Sequence, residues 1–287
     1  MNVMPLDMAK VSRLLGSPVT ASRPIVGRGY TNNRRWVAEL ASGTSVFVKQ
    51  AADETTADWL RREHQVYQSL SGDFMPRVIA FSDDELPLLV LEDLSDATWP
   101  PPWELHTVKA VLRGLAELAA HPPVPGLGSF TDRYKMGSWS EVAADPGPFL
   151  SLGMCSPAWL DRALPVLLEA AEGVRLTGDN VVHLDVRSDN LCVRGDRVVL
   201  VDWNLAACGS AEVDLAFWLP SLHAEGGPPP EEVASIDPAL VAFVSGFFAA
   251  RAGLPEIPTA PHVRRVQRAQ LAVALPWAIR VLRLDEP

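Results

Sequence analysis

The sequence predicts an α+β protein of two lobes, a small β-rich lobe followed by a larger, mainly helical one. Three observations carry this prediction. The first third of the chain strings short β-branched and aromatic runs between turns, with a single helical pattern among them. Most of the remaining chain repeats apolar residues at helical spacing. The texture changes at Asp93–Asp96, just before Pro100, Pro101 and Pro102, which divides the chain into residues 1–94 and 95–287. A chain of 287 residues can bury a large core in such an arrangement.

Pro24–Leu40 (PIVGRGYTNNRRWVAEL) holds a Gly-x-Gly turn at Gly27 and Gly29, then residues that can continue as a strand. Gly43 marks the next turn, and Ser45–Gln50 (SVFVKQ) reads as a short strand carrying Lys49 near its end. Asp53–Leu70 sets Trp59, Arg62, Glu63, Val66, Tyr67 and Leu70 at helical spacing, with start signals from Asp53 to Thr56. Leu86–Leu94 is an apolar run of strand length. Beyond the boundary, His106–Ala120, Pro157–Gly173, Pro238–Ala252 and Pro261–Leu284 read as helices, three of them opening on proline. Pro276 is expected to kink or divide the last. Val181–Trp203 is β-rich, with turns at Ser188-Asp189-Asn190 and Gly195-Asp196.

Composition excludes several function classes. The net charge of −10 argues against a nucleic-acid partner, because neutralising phosphates takes clustered Lys and Arg. The longest uncharged apolar stretch, Pro238–Ala250, is shorter than the ~20 residues of a membrane span. The N-terminus lacks a basic-then-apolar signal pattern, so a soluble, cytoplasmic protein without a membrane partner is expected. Cys155, Cys192 and Cys208 are odd in number and lack C-x-x-C spacing, which indicates neither a disulfide framework nor a zinc site. The signatures of Walker-type NTPases, serine hydrolases and zincins do not occur.

The densest polar feature in an apolar context is VVHLDVRSDNLCVRGDRVVLVDWN, with His183, Asp185, Asn190 and Asp202. A strand–turn–strand here brings Asp185, Asn190 and Asp202 to one end of a hairpin. Two carboxylates and an amide converging there form a hard-oxygen site suited to Mg²⁺. With Mg²⁺ needing only one or two protein carboxylates, Asp185 is left to orient or deprotonate an attacking hydroxyl.

The H-x-D-x-x-x-x-N spacing, followed by an apolar strand and Asp-Trp, resembles the aminoglycoside phosphotransferase and choline kinase-like family, small-molecule kinases with the bilobed protein kinase-like fold. The resemblance spans roughly Ile25 to Leu222 and implies a nucleotide-binding lobe over residues 1–94 and a catalytic and acceptor-binding lobe over residues 95–287. It implies that Asp185 is the catalytic carboxylate and that Asn190 and Asp202 hold Mg²⁺. Lys49 resembles the lysine that pairs with ATP phosphates, and Glu63 its ion-pair partner. The segment with Gly27 and Gly29 resembles the nucleotide-covering loop. Leu89–Leu94, including Glu92 and Leu94, resembles the hinge strand that reads adenine, with Val201 and Cys192 as apolar neighbours of the base. His183 is similar to a histidine that braces the catalytic loop, and Asp214 to a buried aspartate that hydrogen-bonds its backbone. Leu184 stands where this family often has glycine.

The expected activity is therefore ATP-dependent phosphorylation of a hydroxyl on a small molecule. The acceptor classes are an antibiotic of aminoglycoside or nucleoside type or, alternatively, a choline-like or sugar-like metabolite. A nucleotide-binding pseudo-enzyme is the other alternative, and the presence of Asp185 and Asp202 weighs against it. The short run from Asp202 to Asp214 leaves no room for a peptide-binding platform. The overall charge and the carboxylates near the cleft, Asp185, Glu212 and Asp214, favour a cationic or neutral polyol over an anionic acceptor. The oligomeric state is left open.

Overall fold

The computed structural model describes residues 5–26, 33–134, 136–258 and 260–287. The first lobe runs through α1 (Met8–Leu15), β1 (Val19–Pro24), β2 (Arg34–Leu40), β3 (Ser45–Gln50), α2 (Glu54–Ser69), β4 (Val78–Ser82) and β5 (Leu88–Glu92). The strands form one antiparallel sheet ordered β1-β2-β3-β5-β4. Strand alternation sorts its two faces. Val46 and Val48 of β3 join Leu88 and Val90 of β5 in a cluster with Val11 of α1. Phe47, Leu89 and Leu91 pack on the opposite face against Ala57 and Leu60 of α2. Lys49 shares the parity of Phe47, so its stem emerges on the α2 side of the sheet.

A reciprocal cap fixes the start of α2. The Thr56 N–H donates to Asp53 Oδ1 at 2.8 Å, and the Asp53 N–H donates to the Thr56 hydroxyl at 3.0 Å. Threonine here does what Glu or Gln usually does in a capping box. The helix buries Ala57, Leu60, Glu63 and Val66, a stripe in which one member is charged.

The second lobe comprises α3 (Leu105–Ala120), α4 (Phe130–Arg133), α5 (Trp139–Ala144), α6 (Gly147–Leu150), α7 (Pro157–Glu172), β6 (Asn180–Val182), β7 (Leu191–Arg194), β8 (Arg197–Leu200), β9 (Ala207–Gly209), α8 (Val213–Ala224), α9 (Pro230–Val233), α10 (Pro238–Ala252) and α11 (Val263–Leu282). Helix α10 is apolar nearly all round, and it is accordingly the central helix, enclosed by α11, α7 and α5. At Gly114 in α3 a Cβ would collide with Val198 Cγ1, so the absent side chain is what lets α3 lie directly on the β7–β8 hairpin. Arg194 of that hairpin ties the lobes together, its Nη2 donating to the Asp93 carbonyl at 2.9 Å.

Several sequence expectations need correction. Pro276 does not divide the last helix, because α11 continues through it to Leu282. A proline inside a helix costs about 3 kcal/mol. Burial of Leu271, Ala274, Leu275, Trp277, Ala278 and Ile279 outweighs that. The sequence pattern also did not mark α1, β1 and β4. All three cysteines are free, and no described helix is long and apolar enough to cross a membrane.

Candidate active site

The core of the site is a buried lysine between two carboxylates. Lys49 lies opposite Arg35 of β2 and Leu89 of β5. Its Nζ donates to Glu63 Oε2 at 2.6 Å and to Asp202 Oδ1 at 2.8 Å. Lys49 and Glu63 are 3% and 1% exposed, so neither charge could persist there without the other. Burial opposes the charge of Lys49, but Asp202 and Glu63 override it and hold the ammonium above its ordinary pKa. Burial likewise opposes ionisation of Asp202, and Lys49 overrides it, leaving that carboxyl below its ordinary value. Asp202 itself sits in the left-handed region at φ 69°, two residues beyond the strand β8 that carries it into the cleft.

The loop between β6 and β7 supplies the other half. Asp214, at the start of α8 and 4% exposed, accepts the His183 N–H at 2.6 Å and the Leu184 N–H at 2.7 Å. That clamp holds Leu184 at φ 66°, a conformation that leucine adopts at a cost. The His183 Nδ1 accepts the Asp185 N–H at 3.3 Å, so its Nε2–H donates to the Val201 carbonyl at 3.0 Å. Burial holds this imidazole below its ordinary pKa, and Trp203 packs edge-on against it at 4.5 Å. His183 is thus a neutral brace with both ring nitrogens engaged.

Asp185 projects from this loop. Asn190 Nδ2 donates to Asp185 Oδ2 at 2.7 Å, and Arg187 Nε lies 3.1 Å from Asp185 Oδ1. Burial pushes the Asp185 carboxyl above its ordinary value, against the pull of Arg187. The Val201 N–H donates to the Asn190 carbonyl at 2.9 Å, which brings both ends of the β7–β8 hairpin, and hence Asn190 and Asp202, to the same spot.

Between the lobes lies a cavity of about 320 Å³. Lys49, Glu63, Asn190 and Asp202 line its inner end, and Glu92, Leu94 and Val201 line the hinge side. Cys192 does not belong to this wall. It is fully buried beneath it, packed with Leu94 and Val199, because its position in β7 points into the hairpin's covered face. Gly27 and Gly29 lie outside the described residues. Sequence reasoning missed Arg35, Val37, Trp99 and Asp189, which also line the cavity. Arg35 and Val37 could have been found, since strand alternation puts them on the same face as Lys49; Trp99 carried no such signal. It also missed Arg187, although it stands two residues after Asp185.

A second cavity, of about 260 Å³, opens on the other side of Asp185 in the helical lobe. Asp185 lines this cavity and Asn190 the first, and the two side chains are hydrogen-bonded to each other.

This arrangement has counterparts. A family model described as a phosphotransferase enzyme family matches residues 24–235. No curated protein matches the chain in sequence. Among solved structures, an aminoglycoside phosphotransferase from Alicyclobacillus acidocaldarius matches with a TM-score of 0.60 at 15% identity, over 98% of this chain and 96% of that one. A thermostable mutant of another aminoglycoside phosphotransferase, in ternary complex with AMP-PNP and hygromycin B, matches at 0.55 and 17% identity, over 96% and 97%. A protein described as a fructosamine-3-kinase from Thermobifida fusca matches at 0.52 and 20%, over 93% and 98%. At these identities the likeness is one of fold, and the fold is kinase-like.

Proposed function

The chain belongs to the phosphotransferase enzyme family, and from that premise we propose that it moves the γ-phosphoryl group of ATP to a hydroxyl of a small molecule. Family and fold make it a small-molecule kinase. The observation that carries the finer reading is Lys49, held at 2.6 Å from Glu63 and 2.8 Å from Asp202 at the inner end of the cleft. A flexible ammonium becomes a useful phosphate ligand only when its position is fixed in this way.

In this reading ATP occupies the interlobe cavity. The base lies among Val37, Leu91, Leu94 and Val201, and the phosphates extend to Lys49. The residues present fit a hard cation. Asn190 spends its amide N–H groups on Asp185, which leaves its oxygen as a donor, and Asp202 spends Oδ1 on Lys49, which leaves Oδ2. An amide oxygen and a carboxylate suit Mg²⁺, whose remaining positions go to water and phosphate. Bound there, the ion would neutralise charge on the β- and γ-phosphates. The acceptor oxygen bonds to Pγ as the bond from Pγ to the β-phosphate oxygen breaks and ADP leaves. Asp185 takes the hydroxyl proton, and its raised pKa makes it a better base than an exposed carboxylate.

The complex of a fold neighbour with AMP-PNP and hygromycin B supports ATP as donor and an antibiotic as one acceptor class, and the fructosamine-3-kinase neighbour supports a metabolite as another. The place of action is the cytoplasm, where ATP is supplied. The test is an acceptor screen with Mg-ATP, read as a mass increase of one phosphoryl group. Phosphorylation of some alcohol that stops on chelating Mg²⁺ is expected. ATP binding without transfer to any alcohol would return the chain to the regulatory, pseudo-enzyme reading.

A further inference from the structure

We propose that the acceptor is a neutral alcohol carried on an apolar, ring-bearing body, bound in the second cavity with its hydroxyl at Asp185. This rests on the phosphotransferase reading and narrows its substrate class. The cavity lies where α8, α10 and α11 converge on the catalytic loop, and its walls are chiefly Leu184, Phe217, Phe247, Phe248 and Val266. The three phenylalanines meet edge to face, with centroids 5.1 to 5.9 Å apart. Such walls favour flat apolar bodies. A cavity of about 150 Å³ holds benzene, so 260 Å³ accommodates a body of about two fused rings.

The charges around the cavity argue against the cationic acceptor that the overall charge suggested. Two carboxylates line it. Both oxygens of Asp214 are spent on the His183 and Leu184 N–H groups, and Asp185 is already matched by Arg187. Beyond the aromatic wall, Arg251 stands over the Phe247 ring at 4.1 Å, with Glu141 3.5 Å from its guanidinium. A polycation entering here would lose its water and find Asp214 spent on the backbone and Asp185 shared with Arg187. A quaternary ammonium needs open ring faces, and Arg251 already uses one. A sugar needs several hydrogen-bond partners. Several polar atoms of the lining already have partners: the Tyr134 hydroxyl donates to the Leu205 carbonyl, Gln270 Nε2 to Ser221 Oγ, and Gln267 Oε1 accepts from Arg264. An apolar body with one hydroxyl asks nothing further of these atoms.

The test compares 2-(1-naphthyl)ethanol with choline, glucose and hygromycin B, by calorimetry and by Mg-ATP-dependent phosphorylation. The naphthyl alcohol should give kcat/KM at least tenfold above the other three. Val266→Asp, which puts a carboxylate in the wall, should raise KM for it at least tenfold while leaving Mg-ATP binding unchanged. Val266→Thr, a milder change, should shift KM in the same direction if the Asp variant does not fold. Preferential phosphorylation of choline, glucose or hygromycin B overturns the inference and leaves the kinase reading standing. Saturable binding of the naphthyl alcohol that Val266→Thr weakens, with no transfer to any alcohol, upholds the pocket and overturns the kinase reading. Absence of naphthyl alcohol binding overturns the inference outright.

Discussion

Lys49 Nζ lies 2.8 Å from Asp202 Oδ1, a hydrogen bond that joins residues 153 positions apart and makes one buried unit of the two lobes. Glu63 completes the unit from α2. Arg35, opposite Lys49 in β2, adds a second cation, so two carboxylates and two cations meet at this end of the cleft.

The first prediction separates the structural from the functional share of this unit. Removing one member of a buried pair leaves the other uncompensated, at about 3–5 kcal/mol. Lys49→Met should destabilise on that scale, chiefly through stranded Glu63. Adding Glu63→Gln should recover a large part of the lost stability, because the stranded charge is gone. Turnover should stay abolished in both. Denaturant unfolding and kcat on the single and double variants provide the check, and full activity in the double variant would remove Lys49 from the chemistry.

The second prediction concerns roles. Asp185→Asn should leave Mg-ATP affinity nearly intact and lower kcat by about 10²–10⁴-fold, the scale of a positioned acid–base group. Asp202→Asn should weaken metal-dependent nucleotide binding and slow the chemistry together. Nucleotide titrations with and without Mg²⁺, beside single-turnover kinetics, tell the two apart. A variant at 185 that loses Mg-ATP binding, with one at 202 that keeps full activity, means that the roles are exchanged.

Much of this was legible in the sequence where local chemistry decides. Ser45–Gln50 forms its strand over that same span and Pro238–Ala252 its helix, because β-branched alternation and a proline start need no tertiary help. The cluster of Asp185, Asn190 and Asp202 was legible because these residues are polar in an apolar setting. β1 and β4 were not, since they are sheet edges whose residues, Val19 apart, are only partly buried or exposed and carry little pattern of their own. Pro276 misled because helix propensity is a local quantity, and packing of α11 on α10 is not. The walls of the second cavity were not legible, because a net charge of −10 describes the whole chain, whereas Phe217, Phe247, Phe248 and Val266 are brought together there from α8, α10 and α11.

The third prediction inverts an ordinary rank order. Glycine usually costs more stability than alanine at a given site, because it gives up more backbone freedom on folding. Leu184 is held at φ 66° by the two N–H groups that grip Asp214. Left-handed backbone costs a residue with a Cβ roughly 1–2 kcal/mol, and glycine nothing. Leu184→Gly and Leu184→Ala lose the same packing against Phe130 and Val213 to within one methyl. Leu184→Gly should therefore be the more stable of the two, by about 1 kcal/mol. Equilibrium unfolding of both variants decides it, and an Ala variant at least as stable as the Gly one would mean that the loop relaxes out of this conformation.

The last prediction works through Arg187. Its Nε lies 3.1 Å from Asp185 Oδ1 and its Nη2 3.1 Å from Asp189 Oδ2, so one guanidinium serves two half-buried carboxylates. Burial pushes both acids above their ordinary values, and Arg187 is the main influence holding each down. In the proposed reaction Asp185 acts as the carboxylate, so kcat/KM should fall as pH drops through its pKa. Arg187→Gln removes the cation that favours the ionised form. The pKa then rises, and the acid limb of the pH profile should move to higher pH. Stability carries the same sign. A carboxyl whose folded pKa exceeds its unfolded one binds more protons when folded, so its contribution is full below the unfolded value and is lost as pH rises through the folded one. The variant, with both acids raised further, should lose more stability than the wild type as pH rises from acid toward neutrality. Rate profiles and unfolding at several pH values measure the two effects independently. A limb that stays in place or moves to lower pH would show that Arg187 does not set the ionisation of Asp185, and a stability difference that shrinks toward neutral pH would show that the carboxylates are held by other groups.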